Sequence, residues 1–320
     1  MTSLAVVEVG GGAPGDDKDR KPEGRSDEEV IARFRAAFSH LESTDTYITA
    51  ALLPPQAQAL AAHRSHFGLA PKDPWRPEQL PDASEAERRQ MEEFRRRLES
   101  SGALTQPEDA AYVTDLQLLR YLRARDHHLD KSYAMFLHTL QWRRTARPWA
   151  LANPATAANK LSSDARIVGY DLQGRVVVYS CFAKSLERTP EHVKINTICL
   201  MEKANQCVNA GSPGSVVWVN HFGGKHKHGF GWRDASPAFA WGAIDIFSNH
   251  FPECLATMMI IDPPSIFFGL WKVVHPMLPE KTAKKGDFIH SDHDNRAKFT
   301  SIFGPELAAY ILGLIAQDAR

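Results

Sequence analysis

Leu255 to Ile261 is a short, largely apolar run bounded by Pro252 and Pro263, a pattern that suits a strand buried on both faces of a sheet. Ser265 to Val274 then has the length of a helix. Its apolar residues, Ile266, Phe267, Phe268, Leu270, Trp271, Val273 and Val274, keep to no single stripe, so the helix shows apolar side chains on most of its surface. Such a helix is either wholly buried or faces something apolar that is not protein. Lys272 and His275 interrupt it and Pro276 stops it, well short of the ~20 apolar residues a bilayer span needs. Two readings stay open on pattern alone: a central helix of an α/β domain, or a movable lid over an apolar cavity.

The flanking pattern alternates strands and helices. Ile167 to Tyr170 and Arg175 to Phe182 surround Asp171-Leu172-Gln173-Gly174, a turn with glycine where a left-handed residue is often required. Thr189-Pro190 opens a helix that Gly211 stops, Ser215 to Asn220 is a strand, and Ser236-Pro237 opens another helix before the strand from Leu255 to Asp262. Asn295 to Phe303 and Pro305 to Leu312 close the chain as helices. This order predicts an α/β fold with a mixed, mainly parallel sheet flanked by helices. Upstream, Val113, Leu116, Leu119, Tyr121 and Leu122 form one helical face, and Leu129, Tyr133, Phe136, Leu137 and Leu140 begin a second after His127-His128. Ser84 to Leu98 is dense in alternating Arg and Glu and reads as a solvated face. The expected organisation is a disordered stretch at 1–26, an accessory helix (Glu28 to Leu41) and Pro-rich linker over 27–83, a helical lobe at 84–150 and the sheet domain at 155–315.

Composition narrows the function classes. Lys+Arg and Asp+Glu both total 38 in 320 residues, so bulk charge does not point to nucleic acid, and attraction to an anionic surface must come from local clusters. The four cysteines, Cys181, Cys199, Cys207 and Cys254, have no CxxC spacing and lie in apolar patterns, which reads as reduced core residues of a cytosolic chain. The N-terminus lacks the cationic start and apolar core of a signal peptide. No phosphate-cradling GxGxxG between a strand and a helix, no P-loop and no GxSxG elbow is present.

Several ordered motifs carry a resemblance. They are Leu118-Leu119-Arg120-Tyr121-Leu122-Arg123-Ala124-Arg125, Gln141-Trp142-Arg143, His228-Gly229-Phe230-Gly231-Trp232-Arg233-Asp234, Phe251-Pro252-Glu253 and Ile261-Asp262-Pro263-Pro264-Ser265-Ile266-Phe267, followed by Leu278, Thr282 and Lys285. From Leu118 to about Gly313 the chain resembles the CRAL-TRIO family of lipid-binding and phosphatidylinositol-transfer proteins. The resemblance implies an N-terminal helical lobe, a sheet domain enclosing a lipid cavity, and no catalysis. It implies phospholipid binding, most closely phosphatidylinositol, with Glu253, Lys285, Thr282, Arg125 and Ser215 at the headgroup. It also implies that Ile266, Phe267, Phe268, Leu270, Trp271 and Val274 line the cavity or its gate.

The residue chemistry suits those roles, since Glu253 can accept from sugar hydroxyls, Lys285 offers a point charge to phosphate, and Thr282 adds a hydroxyl one turn earlier; the alternatives are a Glu253–Lys285 salt bridge with no ligand and a surface salt bridge for Arg125. Three departures stand out: Asp126 where many phosphatidylinositol-binding members have Lys, Val217 where a second hydroxyl is common, and Asn220 before a lengthened loop rich in Gly, Lys and His. The expected partners of this monomeric chain are a phospholipid and, transiently, a membrane surface, with cytoplasmic and peripheral-membrane localisation, no nucleic acid and no cofactor. Alternatives are the same fold with phosphatidylcholine, a sterol or a tocopherol-like ligand, and a metal-dependent hydrolase built on His221, His226, His228, His290, Asp292 and His293, for which no HExxH spacing exists.

Overall fold

The computed structural model describes residues 80, 83–148, 164–184, 189–206, 208, 213–223, 231, 234, 237–278 and 280–319. The disordered stretch expected at 1–26, the helix from Glu28 to Leu41, the linker prolines Pro71, Pro74, Pro77 and Pro81, and His226 and His228 lie outside the described residues.

Among the described residues four helices precede the sheet: α1 Glu85–Ser100, α2 Pro107–Tyr112, α3 Asp115–Ala124 and α4 Leu129–Ala146. Ser84 starts α1 with a reciprocal cap, its hydroxyl accepting from the Glu87 N–H while the Glu87 carboxylate accepts from the Ser84 N–H. The charged run here is more than a solvated face. Met91, Phe94 and Leu98 are buried at helical spacing, and the charges between them bridge to neighbours, Arg95 to Asp115 at 2.6 Å and Arg97 to Asp130 at 2.5 Å. The Arg123 guanidinium holds the Glu87 carboxyl at 2.7 Å and brings its pKa down to about 2, against the opposing effect of burial.

Beyond α4 the strands are β1 Asp164–Tyr170, β2 Val176–Cys181, β3 Val216–His221, β4 Leu255–Ile261 and β5 Gly286–Ile289, and they lie side by side in chain order. β1 and β2 form the antiparallel hairpin read from the sequence. Its turn is set by Asp171, whose carboxylate accepts from the N–H groups of Gln173 and Arg175 and from the Arg175 side chain, and by Gly174 at φ +76°. The other three pairings are parallel. Crossovers between consecutive parallel strands carry α5 Pro190–Gln206, α6 Pro237–His250, and then α7 Ser265–Val274 with the four-residue α8 Glu280–Ala283. One hand of crossover puts these helices on the same face. α9 Arg296–Phe303 and α10 Pro305–Asp318 cover the other.

Strand alternation divides the core accordingly. Val177, Tyr179, Cys181, Val217, Val219, Met259, Ile261 and Ile289 face α9 and α10, while Val176, Val178 and Val216 join a cluster shared with α5 and the helical lobe. A third cluster, with Phe182, Phe222, Ile260, Leu270 and Val274 at its centre, lies under α7. α10 runs six residues past the expected Leu312, because Leu314, Ile315 and Asp318 continue the buried face of Leu307, Ala308 and Ile311. β4 departs from the expectation of two buried faces: Leu255, Ala256, Thr257 and Met258 are only half-buried. The cause is register, since β5 begins to pair only at Met258 and leaves the first three residues of β4 at an open edge.

The helical lobe is docked on the sheet domain by buried polar contacts. Arg143 of α4 makes a two-pronged pair with Glu202 of α5 at 2.9 and 2.8 Å and lies 4.0 Å above the Tyr112 ring. His250, at the end of α6, stacks on Trp142 at 3.9 Å. Burial, then the nearby His138, Arg143 and Lys194, push the His250 pKa down to about 3.

A pH test separates these contacts. The unfolded chain takes up a proton at His250 below about pH 6.5 that the folded chain refuses until about 3, so stability falls with acid by about 1.4 kcal/mol per pH unit in that window. Glu87 adds a similar loss only between about pH 4.5 and 2, where the unfolded carboxyl protonates before the folded one. Urea denaturation across pH is expected to show a shallower slope between pH 6.5 and 5 in His250→Gln. Glu87→Gln is expected to keep that slope and change the curve below pH 4.5.

Candidate functional site: an acidic–basic pair beside an apolar helix

Glu253 and Lys285 are brought together at the start of β4 and β5. The chain leaving α6 turns through Pro252 and places Glu253 at φ +53°, after which the Cys254 carbonyl accepts from the Val216 N–H at 2.7 Å. Lys285 is fixed by its backbone on two sides. Its N–H donates to the Thr282 carbonyl at 3.0 Å and its carbonyl accepts from the Met258 N–H at 2.8 Å. The side chains then meet, Lys285 Nζ donating to Glu253 Oε2 at 3.3 Å, with side-chain exposures of 19% and 30%. Both charges sit in a recess at the open edge of β4 and are neither in bulk water nor in the core.

The other expected headgroup residues lie on three different segments. Thr282 is half-buried in α8, one turn before Lys285. Ser215 is half-buried just before β3, between Val216, which is bonded to Cys254, and Gly214, whose carbonyl accepts from Arg120. Arg125 donates to the Ala124 carbonyl of its own helix at 3.1 Å. The contact from that turn to α8 is made by the next residue, Asp126, which accepts from Lys281 Nζ at 2.6 Å. Sequence reasoning noted Asp126 only as a departure; the signal it lacked was the cation waiting across 155 residues of chain.

α7 packs directly beside this recess. Its Phe267, Leu270, Trp271 and Val274 turn inward at helical spacing, and the fully or half-buried set meets Phe222 and Phe288. Phe267 lies 4.9 Å from the Phe222 ring, and Trp271 lies 5.6 Å from Phe288. A Cβ on Gly286 would approach the Trp271 ring at 3.5 Å, so this ring covers the residue next to Lys285. The outward side is apolar too: Ile266 and Phe268 are each 38% exposed and Val273 is 53% exposed. The absence of a single apolar stripe is thus realised as two apolar faces, one on the protein and one on solvent.

On the same sheet face, where Trp218 packs against Phe247 of α6, lies a polar group that sequence reasoning did not find. Trp218 Nε1 donates to Ser180 Oγ at 2.8 Å, and Ser180 donates to Asn220 Oδ1 at 3.1 Å. Ser180 and Asn220 are lateral partners in the β2–β3 register, which no local pattern reveals. Of the histidine set, His221 is buried in β3, and His290, Asp292 and His293 occupy an exposed turn with the two imidazoles 5.7 Å apart. Among the described residues no helix is long and apolar enough to cross a membrane.

The CRAL/TRIO domain model matches residues 165–311 and the CRAL/TRIO, N-terminal domain model matches residues 90–138. Patellin-2 of Arabidopsis thaliana is 23% identical over 247 residues, which cover 69% of this chain and 36% of that protein. The phosphatidylinositol transfer protein CSR1 of Eremothecium gossypii is 24% identical over 194 residues, 56% of this chain and 43% of that one. The chain therefore spans less than half the length of these relatives. The crystal structure of Sfh5 is similar with a TM-score of 0.50 and 13% identity over 73% of this chain and 98% of that one, a likeness of fold.

The two faces of α7 give opposite expectations for neighbouring phenylalanines. Phe267→Asp buries a carboxylate in the ring cluster and is expected to cost more than about 3 kcal/mol of stability. Phe268→Asp gives up a ring contact with Phe288 at 5.4 Å but keeps its charge at a part-exposed position, so it is expected to cost less, about 1–2 kcal/mol. Thermal and urea unfolding of the two variants checks this; equal losses would mean that both rings belong to the core.

Proposed function

We propose that this chain, which belongs to the CRAL-TRIO family, binds a phospholipid between its sheet and α7 and carries or presents it at membranes. The observation that carries this reading is the Glu253–Lys285 pair at 3.3 Å beside a helix that is apolar on both faces. A lipid headgroup is polar and its acyl chains are not, so it needs fixed polar partners next to an apolar space. The pair keeps both charges compensated when no headgroup is present. A phosphate on Lys285 and a sugar hydroxyl on Glu253 would replace each partner, so opening the pair leaves no buried charge alone.

Phosphatidylinositol fits these two groups best, since it combines the anionic phosphate with the hydroxyl-rich ring that a carboxylate acceptor favours. Thr282 and Ser215 would add hydroxyls to the phosphate, and Arg125 a cation at the mouth. The acyl chains would take the place that opens among Ile260, Leu270, Val274, Phe222 and Phe288, now packed together, with α7 as the gate. No bond is made or broken in this role, and the chain acts as a non-enzymatic carrier. Entry requires α7 to lift, and Ile266, Phe268 and Val273 would meet hydrocarbon as the inward face is uncovered.

Vesicle transfer tests the assignment. Glu253→Ala with Lys285→Ala is expected to lower phosphatidylinositol transfer by about two orders of magnitude, for roughly 3 kcal/mol of lost charged hydrogen bonds. The melting transition should change little, because a part-exposed pair contributes about 1 kcal/mol or less. Transfer at the wild-type rate in that folded variant would sink the headgroup assignment. Phe268→Asp is expected to reduce co-sedimentation with phosphatidylcholine vesicles while the chain stays folded. Extraction of co-purified lipid and its mass spectrum identify the ligand class.

A further inference from the structure

The sheet register sets Cys181, His221, Ile261 and Ile289 in one row across β2 to β5, on the face opposite α7. Asp318, in the last turn of α10, reaches the first two members of that row. One ligating atom of each of Cys181, His221 and Asp318 lies within 4.8 Å of the other two, and all three residues are buried. A thiol, an imidazole and a carboxylate converging from two strands and a helix are a donor set for a borderline divalent ion.

We propose that Cys181, His221 and Asp318 bind one zinc-type divalent cation that fastens the C-terminal helix to the sheet. The surrounding groups are arranged as an outer shell. Tyr179 Oη donates to Asp318 Oδ2 at 2.8 Å and lies 3.4 Å from His221 Nδ1, so Nδ1 is the imidazole nitrogen turned toward the cluster. Nε2 is turned the other way, 3.6 Å from the Asp262 carboxylate. This places a carboxylate behind the histidine, at an ion-pair distance rather than a hydrogen-bond distance, where its charge favours a cation on the far side of the ring. Asp262 is itself held, accepting from the Ser291 N–H at 2.8 Å and from the Ser291 hydroxyl.

Charge balance supports a dication. Cys181 as thiolate and Asp318 as carboxylate carry two negative charges within an apolar cluster, and an ion of charge two neutralises them there. Binding forms the sulfur–metal bond and releases the thiol proton to solvent. The site is separate from the lipid recess in place and in chemistry. It lies at the ends of β2 and β3 under α10, while Glu253 and Lys285 lie at the starts of β4 and β5 beside α7. A cavity of about 230 Å³ lies further along the same row, lined by Ile261, Ile289, Ile315 and Ala319.

Cobalt and zinc titrations of the full chain, first stripped with chelator, test the proposal. Cobalt is expected to saturate at one equivalent and to give a thiolate-to-cobalt charge-transfer band, and zinc to displace it and raise the melting temperature. Cys181→Ser is expected to lose the band although Cys199, Cys207 and Cys254 remain. Tyr179→Phe, which removes only an outer-shell contact, is expected to keep the band and weaken zinc about tenfold. A folded wild-type chain that shows no band at saturating cobalt, or an unchanged band in Cys181→Ser, overturns the site. Should Cys181→Ser fail to fold, Asp318→Asn takes its place: loss of one-equivalent zinc binding supports the site, and unchanged affinity overturns it. Phosphatidylinositol transfer of the stripped chain reports on the lipid reading independently.

Discussion

The hydrogen bond from the Met258 N–H to the Lys285 carbonyl governs the geometry of the recess. It is where β5 joins β4, and its position three residues into β4 sets two things together. It leaves Leu255 to Thr257 at an open edge, and it holds Lys285 so that its ammonium meets Glu253. A β5 starting earlier would cover the edge and close the recess. A later one would carry Lys285 away from the strand that presents Glu253. Because Trp271 rests over Gly286, the same register also decides where α7 lies. The Glu253–Lys285 pair and α7 are thus coupled through one short strand.

The second constraint is the docking of the helical lobe. Breaking a buried charge pair by removing one partner costs about 3–5 kcal/mol, so Arg143 and Glu202 make separation of α4 from α5 costly. Burial works against the Arg143 charge, yet the Glu202 carboxylate at 2.8 Å raises its pKa above the usual range. Tyr121 donates to the His250 carbonyl and Thr139 to the Asn249 carbonyl, so the lobe also satisfies the end of α6. The turn that reaches Lys281 through Asp126 is carried on this lobe. That exposed pair is worth little energy. It is the lobe's rigidity that brings the turn to α8.

The face under α9 and α10 is built differently from the face under α7. Its strand residues are almost all aliphatic until the final row, where Cys181 and His221 meet Asp318 and Tyr179. The face under α7 ends in aromatic rings that contact one another and half-buried side chains. The two faces thus differ in make-up: one is aliphatic and covered by two helices, and the other is rimmed by aromatic rings and part-exposed on α7.

The sequence by itself determined the elements and their order. Alternation and Gly174 specified the hairpin, and Pro190, Pro237 and Pro305 marked helix starts to within a residue, because these signals act locally on φ and ψ. Ser265 to Val274 and its lack of a single apolar stripe were legible for the same reason, as were Glu253 and Lys285 once the motifs around them were recognised. Tertiary structure alone decided what lies beside what. It paired Asp126 with Lys281, aligned Ser180 with Asn220, opened the first half of β4, and extended α10 so that Asp318 reached Cys181 and His221. Each depends on strand register or on residues over 35 positions apart, where no local preference of the backbone reaches.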